Sequence, residues 1–326
     1  MPGPLRIAFL GCGFITGVHS RQLRRSRTEV ALSYASRDPA RAQAFCERYG
    51  GKAAYSDYIS AIQDSEIDAV VIAVPPRFHL DLTLQALEAG KHVLVEKPAY
   101  LTATDYQLVR DARNKARRVV LVGENDHYKP LAVCLRRLLR ENVIGAMVFA
   151  HFTTLARKFK TASDWRNNEA VAGGDAFFEE GIHWLHLANS LGPRITVAHG
   201  YRPQLPKRGS DSRGKSMLVA FHYDNAAVGT LYYSREVPSL LRGIRLSKLF
   251  GRDGIITFES NGAFVFVRGR SLPRLLFPGV CDIRGYQAMY RDFVGAIHEQ
   301  RAPQMSLEAA MADHRLLDQI YATDRP

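Results

Sequence analysis

The sequence predicts an α/β protein in two parts: a doubly wound parallel sheet over residues 1–123, then a second α/β domain over 124–326 built on a large, open, mostly antiparallel sheet. Three observations carry this prediction. Over the first part, short and continuously apolar runs alternate with helix-like stretches, as strands buried on both faces and crossover helices do. The first of these runs is followed at once by a glycine turn and a helical stretch. After Glu124 the apolar runs alternate in polarity and are separated by turn signals such as Asp224-Asn225 and Asn261-Gly262, the pattern of antiparallel strands. A length of 326 residues suits two cores better than one.

Taken in order, Leu5–Leu10 is a buried strand, Gly11-Cys12-Gly13 its turn, and Val18–Arg25 the first helix. Val30–Ala35 is the second strand, and Asp38-Pro39 starts a helix as cap and first-turn proline. Tyr55–Ile62 reads as a short helix and Ala69–Val74 as a strand that breaks at Pro75-Pro76. Arg77-Phe78-His79 then opens the helix Leu80–Ala89. The strand beginning at His92 stops at Glu96-Lys97-Pro98, because proline cannot continue a ladder and disfavours helix in the residue before it. Ala103–Lys115 and Val119–Val122 complete this half. In the second half, helix is expected over Pro130–Glu141, Tyr286–Gln300 and Leu307–Tyr321. Strands are expected at Ala146–Leu155, Ile195–Tyr201, Met217–Tyr223, Ala227–Ser234, Ile255–Glu259 and Ala263–Arg268, with Leu205–Lys215 a polar surface loop.

Composition excludes several function classes. No apolar run approaches the ~20 residues of a membrane helix, and the N-terminus lacks the apolar core of a secretion signal, so a cytoplasmic protein is expected. Cys12, Cys46, Cys134 and Cys281 are widely spaced, which suggests neither a zinc site nor a disulfide framework. The net charge of +12 comes from dispersed clusters near helix ends and on helix faces. Basic residues there complement the helix dipole, and nucleic-acid binding is not expected.

Lys97 stands at the carboxyl end of a parallel strand, where open α/β sheets place their ligands. In the glycine turn, Gly11 permits a tight bend and Gly13 lets the backbone approach a pyrophosphate at a helix N-terminus, with Phe14 and Ile15 beside it. The third glycine of the usual dinucleotide fingerprint is replaced by Thr16. At the end of the second strand, where an acidic residue would grip ribose hydroxyls, stand Ser36 and Arg37, with Arg41 one turn later. A hydroxyl beside guanidinium groups suits a 2′-phosphate, which favours NADP(H) over NAD(H). Asp38 is read as a helix cap only.

Jointly, Gly11-Cys12-Gly13, Ala73-Val74-Pro75-Pro76 with His79, Glu96-Lys97-Pro98, Trp165-Arg166, Gly173-Gly174 with Gly181 and His183, and Phe250-Gly251 with Gly254 resemble the Gfo/Idh/MocA family. The resemblance implies a Rossmann domain followed by a substrate-binding and oligomerisation domain. It also implies an NAD(P)-dependent oxidoreductase acting on CH-OH groups of sugars, cyclitols or their derivatives, and a homo-dimer or homo-tetramer formed through the second sheet. It assigns Lys97 as proton relay, with Glu179 and His183 completing the site. It adds Val74, Pro75, His79 and Glu96 to the residues expected around the cofactor, and implies that the Lys97–Pro98 bond is often cis.

On a helical wheel at ~100° per residue, Glu179, His183, His186 and Ser190 form a narrow polar stripe. The stripe is read as a substrate site, with Tyr128, Trp165, Arg166 and His186 as substrate contacts. Two positions depart from the family pattern, Glu179 for its usual aspartate and His186 for another aspartate. The departures leave a second reading, a catalytically silent NADP(H)-binding sensor of the same fold. No metal is expected.

Overall fold

The computed structural model describes residues 3–24, 28–157, 169–204, 215–238, 245–279 and 281–324. Trp165 and Arg166 lie outside the described residues, as do Arg25 and residues 205–214 of the expected surface loop. The chain divides into two compact units, Met1–Glu124 with Tyr286–Met311, and Asn125–Gly285 with Ala312–Pro326.

In the first unit the elements are β1 (Leu5–Leu10), α1 (Phe14–Leu23), β2 (Val30–Ala35), α2 (Pro39–Tyr49), β3 (Ala54–Tyr55), α3 (Tyr58–Gln63), β4 (Ala69–Ile72), α4 (His79–Glu88), β5 (His92–Glu96), α5 (Ala103–Ala116) and β6 (Val120–Gly123). The six strands form one parallel sheet in the order β3-β2-β1-β4-β5-β6. This order reverses direction between β1 and β4, and ligands bind outside the carboxyl ends of the strands at such a switch point. The strands are apolar throughout because both faces are covered: Ile7, Phe9, Val70, Val71, Val93 and Leu94 are fully buried.

Two boundaries differ from the expectation for local reasons. Helix α1 begins at Phe14 rather than Val18, because Gly13 is already its extended cap and the Gly17 amide closes the first turn onto the Gly13 carbonyl at 3.2 Å. Tyr55 is not helical. It pairs with Ala35 in β3, and α3 starts after Asp57, whose carboxylate accepts from the Ser60 amide at 2.8 Å.

The second unit holds α6 (Pro130–Arg140), β7 (Met147–Leu155), α7 (Glu169–Ala172), a π-helical turn (Phe177–Gly181) that runs into α8 (Ile182–Asn189), then β8 (Ile195–Tyr201), β9 (Ser216–Tyr223) and β10 (Val228–Ser234). There follow β11 (Leu246–Gly251), β12 (Gly254–Glu259), β13 (Val265–Arg268) and β14 (Arg274–Leu276). Helix α9 (Tyr286–His298) belongs to the first unit, and α10 (Leu307–Thr323) contributes its opening residues to the first and the remainder to the second.

The eight strands form one sheet, β14-β13-β12-β11-β7-β10-β9-β8, antiparallel at every junction except β7 with β10. The expected fold class is therefore borne out, with β11 and β14 as additional strands. Alternation sorts the sheet's two faces. Ala150, Phe152, Val219, Phe221, Leu231 and Leu249 are buried. On the other face Phe149, Tyr201 and Tyr232 remain 54%, 57% and 39% exposed. No helix among the described residues is long and apolar enough to cross a membrane.

Candidate active site

In the first unit the expected cofactor residues gather at the carboxyl ends of β1, β4 and β5. Gly11 has φ +107°, and a Cβ there would lie 2.6 Å from the Ala73 carbonyl oxygen and 3.0 Å from Val74 Cγ1. Its glycine identity is thus dictated by the close approach of β1's turn to the end of β4. Gly13 has an ordinary φ of −104°, and a Cβ there would meet nothing within 4 Å. No side chain caps α1, and Phe14 at its start is 83% exposed. Open space before an uncapped helix N-terminus fits a dinucleotide's pyrophosphate. Thr16, in place of the third glycine, is buried and donates its hydroxyl to the Gly11 carbonyl at 2.6 Å, bracing the turn from inside.

The strand end at β2 is divided in role. Ser36 is buried and its hydroxyl accepts from the Asp38 amide at 3.1 Å. Asp38 caps α2 through the Arg41 amide, as its cap reading requires. The Arg37 guanidinium lies 5.9 Å from the centre of the Phe78 ring. It also partly offsets the upward push of burial on the Tyr58 hydroxyl. Burial raises the Cys12 thiol to about 11, and the charge of Arg41 partly opposes it.

His79 is fully buried. Its Nε2 lies 2.8 Å from the Val74 carbonyl, and its Nδ1 lies 3.0 Å from the Ala99 and 3.1 Å from the Pro98 carbonyl. It ties the chain after β4 to the chain after β5, and burial holds its imidazole below the ordinary range. Lys97 opens the second of those tied segments, joined to Pro98 by a cis peptide bond. Glu96 is buried beneath it. One carboxylate oxygen accepts from the Lys97 amide at 3.2 Å, and the other is 2.7 Å from His19 Nε2 on α1. His19 Nδ1 in turn meets the Tyr290 hydroxyl on α9 at 2.6 Å. All three side chains are nearly solvent-free, and burial pushes the Tyr290 phenol well up. Sequence reading misses His19 and Tyr290, because their partners stand 77 and 271 residues away.

In the second unit the polar stripe is divided: Glu179 stands with Arg235, while His183 and His186 lie beside Asp126 and His127. Glu179 sits in the π-helical turn, where hydrogen bonds close one residue later than in an α-helix, so a wheel drawn at α-helical pitch misplaces it relative to α8. Asp175 anchors the turn: its Oδ1 accepts from the Phe177 and Phe178 amides at 2.9 and 3.0 Å and from the Tyr321 hydroxyl at 2.6 Å. Glu179 is buried and pairs at 3.0 Å with Arg235, which also holds Glu180 at 2.9 Å. The two carboxylates keep the Arg235 guanidinium charged, outweighing the opposing push of burial. Arg235 is a third residue that sequence reading misses.

His183 is half-buried on α8, and one of its ring nitrogens comes within 4.8 Å of a carboxylate oxygen of Asp126. Asp126 is fixed by Lys129 Nζ at 2.6 Å. His186 is buried and has both ring nitrogens engaged, Nδ1 with Asp313 on α10 at 2.6 Å and Nε2 with His127 Nδ1 at 2.9 Å. Tyr128 is also buried, its neighbour His127 packing edge-on at 5.0 Å between ring centres. The structure thus brings together Asp126, His127, His183 and His186, and sets Glu179 with Arg235.

Comparison with known proteins agrees with this architecture. Residues 5–124 match the family model described as an oxidoreductase family with an NAD-binding Rossmann fold, and residues 133–256 match the model of the GFO/IDH/MocA C-terminal domain. A levoglucosan dehydrogenase from Pseudarthrobacter phenanthrenivorans is 24% identical over 311 residues, covering 88% of this chain and 80% of its own. A D-glucoside 3-dehydrogenase from Escherichia coli is 32% identical over 191 residues, covering 57% of this chain and 53% of its own. Among solved structures, levoglucosan dehydrogenase in complex with NADH and levoglucosan superposes with a TM-score of 0.87 at 21% identity, over 98% of this chain and 97% of that one. An oxidoreductase domain protein from Kribbella flavida gives 0.87 at 18% identity, over 99% and 97%.

Proposed function

The chain belongs to the Gfo/Idh/MocA oxidoreductase family, and from that premise we propose that it is an NAD(P)-dependent dehydrogenase or reductase of sugars, cyclitols or related polyols, in which Lys97 relays the hydroxyl proton. The observation that carries the proposal is the anchoring of Lys97 at the carboxyl end of β5, with Glu96 beneath it held by His19 and Tyr290. A lysine fixed at a switch-point strand end can bind a substrate oxygen and move its proton. The names of the relatives support the substrate class: a levoglucosan dehydrogenase, a D-glucoside 3-dehydrogenase and an inositol 2-dehydrogenase.

The roles follow from the chemistry of each group. Gly11, Gly13 and the opening amides of α1 would hold the pyrophosphate, with Phe14, Ile15, Val74 and Pro75 against the rest of the dinucleotide. The nicotinamide, when bound, supplies the hydride acceptor or donor. Arg37 and Arg41 offer charge to a 2′-phosphate, which supports NADP(H), and Ser36 shapes that strand end through its own backbone bond. Glu179, locked as a carboxylate against Arg235, contributes fixed negative charge, and His183 contributes an imidazole for the substrate hydroxyl. His186, enclosed by protein partners, is reassigned from substrate contact to support. The exposed face of the second sheet, with Phe149, Tyr201 and Tyr232, supports a homo-oligomer formed there.

One experiment tests the reading. NADPH and NADH are titrated by fluorescence, and keto-sugars, sugars and cyclitols are screened for turnover. Lys97→Met should lower kcat/KM by about 10²–10⁴-fold with cofactor affinity retained, and His183→Ala should lower it as well. Full turnover in both variants overturns the assignment, and tight NADH binding without NADPH binding overturns the 2′-phosphate reading.

A further inference from the structure

Glu96, His19 and Tyr290 all belong to the first unit and are buried. The direction of the bonds that join them follows from their chemistry. The Tyr290 hydroxyl has one hydrogen-bond partner among the described residues, His19 Nδ1 at 2.6 Å. Its hydrogen goes to that nitrogen, which must offer a lone pair. His19 Nε2 then carries the ring proton and donates it to Glu96 Oε1 at 2.7 Å. The rings of Phe9, Tyr286 and Tyr290 stand around the imidazole at 5.9, 4.9 and 5.6 Å between centres, and such surroundings oppose charge. His19 is thus neutral, and Glu96 keeps its full negative charge. No lysine or arginine among the described residues forms an ion pair with that carboxylate. Across the sheet, a Cβ at Gly123 would lie 3.2 Å from Glu96 Oε1, so the glycine leaves room for the group.

We propose that Glu96, kept as an uncompensated carboxylate by His19 and Tyr290, makes the carboxyl end of β5 select the oxidised nicotinamide, a cation, over the reduced one. The inference rests on the dinucleotide reading above; the protonation of His19 does not. His19 and Tyr290 are positioning residues, and Glu96 supplies the charge.

The placement suits this role. With the adenosine ribose read at β2 and the pyrophosphate at α1 after β1, the sheet order lays the other half of a dinucleotide over β4 and β5. Glu96 is the last residue of β5. A nicotinamide is neutral with its hydride and carries one positive charge without it, so a fixed charge nearby shifts the balance between the two forms. Glu96 is nearly out of water, where salt screens it little. The other titratable groups around the three are Tyr34 on β2, Tyr286 on α9, His79 on α4, Glu124 and Lys97. Burial pushes Tyr34 up to about 12 and holds His79 below the ordinary range, although the charge of Glu96 pulls His79 back up. Glu124, next to Gly123, adds to the negative side, and Lys97 opposes it.

Calorimetric titration of the full chain with NADP⁺ and NADPH, and with NAD⁺ and NADH, tests this without any turnover. At pH 8, Glu96→Gln should weaken binding of the oxidised form about tenfold more than that of the reduced form, a change of about 30 mV in the potential of the bound couple. A loss shared equally by both forms, as damage to the fold alone would give, overturns the proposal. Tyr290→Phe removes the donor to Nδ1, so His19 can take a second proton and neutralise Glu96. Its oxidised-to-reduced affinity ratio should therefore fall more steeply than that of wild type as the pH is lowered from 8 to 6. A ratio that follows wild type across that range overturns the proposal as well. Two-bond ¹H–¹⁵N spectra, with the ring assigned from His19→Gln, read the tautomer directly: wild-type His19 should be protonated at Nε2 alone, and a proton on Nδ1 overturns the proposal. This spectrum and the Tyr290→Phe titration decide the matter even if Glu96→Gln does not fold. Binding of neither form overturns the dinucleotide reading and the proposal with it, whereas a ratio unmoved by Glu96→Gln overturns the proposal alone.

Discussion

His92, at the start of β5, shows how a single side chain can couple this fold to acidity. The Val119 amide donates to its Nδ1 at 3.0 Å, which requires a lone pair on that nitrogen. Burial, assisted by the charge of Arg118, pushes the imidazole down to about 4. A free histidine titrates near about 6.5. Between those values the unfolded chain binds a proton that the folded chain refuses, so stability is full above about 6.5 and declines as the pH falls toward 4. The urea midpoint should therefore drop across that window more steeply in wild type than in His92→Asn, whose amide oxygen can accept from Val119 at any pH. Equal slopes would refute this. Residues that act through sequence neighbours, such as Asp38 with the Arg41 amide, were legible without a structure. Arg235 and Asp313 were not. They reach their partners Glu179 and His186 across 56 and 127 residues, and no local pattern encodes a pairing of that span.

Among the elements, the turn after β1 separates two kinds of glycine that look alike in a motif. At Gly11 both the positive φ and the Ala73 carbonyl exclude a side chain. At Gly13 the protein itself excludes nothing, which agrees with a bound dinucleotide as the reason for the glycine. Gly11→Ala should thus destabilise the protein by about 1–3 kcal/mol. Gly13→Ala should leave the Tm within about 2 °C while weakening cofactor binding about tenfold or more. Thermal melts paired with NAD(P)H titration check both, and a Gly13→Ala variant that binds normally would remove the pyrophosphate from this turn. The parallel strands were plain in the sequence because burial on both faces makes them continuously apolar. The π-helical turn at Phe177–Gly181 was not, since a wheel drawn at α-helical pitch assumes away the one added residue per hydrogen-bonded ring. Strand β11 was missed for another reason: Leu246–Gly251 is short and carries Ser247 and Lys248, which blur its alternation.

Across the whole molecule, the eight-stranded sheet leaves one face with Phe149, His151, Tyr201 and His222 around a shared hollow. If copies of the chain associate there, sedimentation of wild type should give a dimer or tetramer, and Phe149→Glu with Tyr201→Glu should give monomer. A wild-type monomer at micromolar concentration would exclude that assembly. The sequence made the sheet visible, since each strand alternates, but not which of its faces stays bare. The segment Tyr286–Met311 has a different consequence, one of timing. It completes the first unit: Tyr290 closes the hydrogen bonds beneath Lys97, and Met305 accepts from the Val122 amide at the sheet edge. At about 5–20 residues per second, a ribosome that has finished β6 needs on the order of ten seconds or more to deliver that segment. For all that interval the nascent β6 has a bare edge and His19 lacks its phenol. The unit whose strands are made first is thus finished only after all eight strands of the second sheet have been made, and Lys97 gains its full support only then.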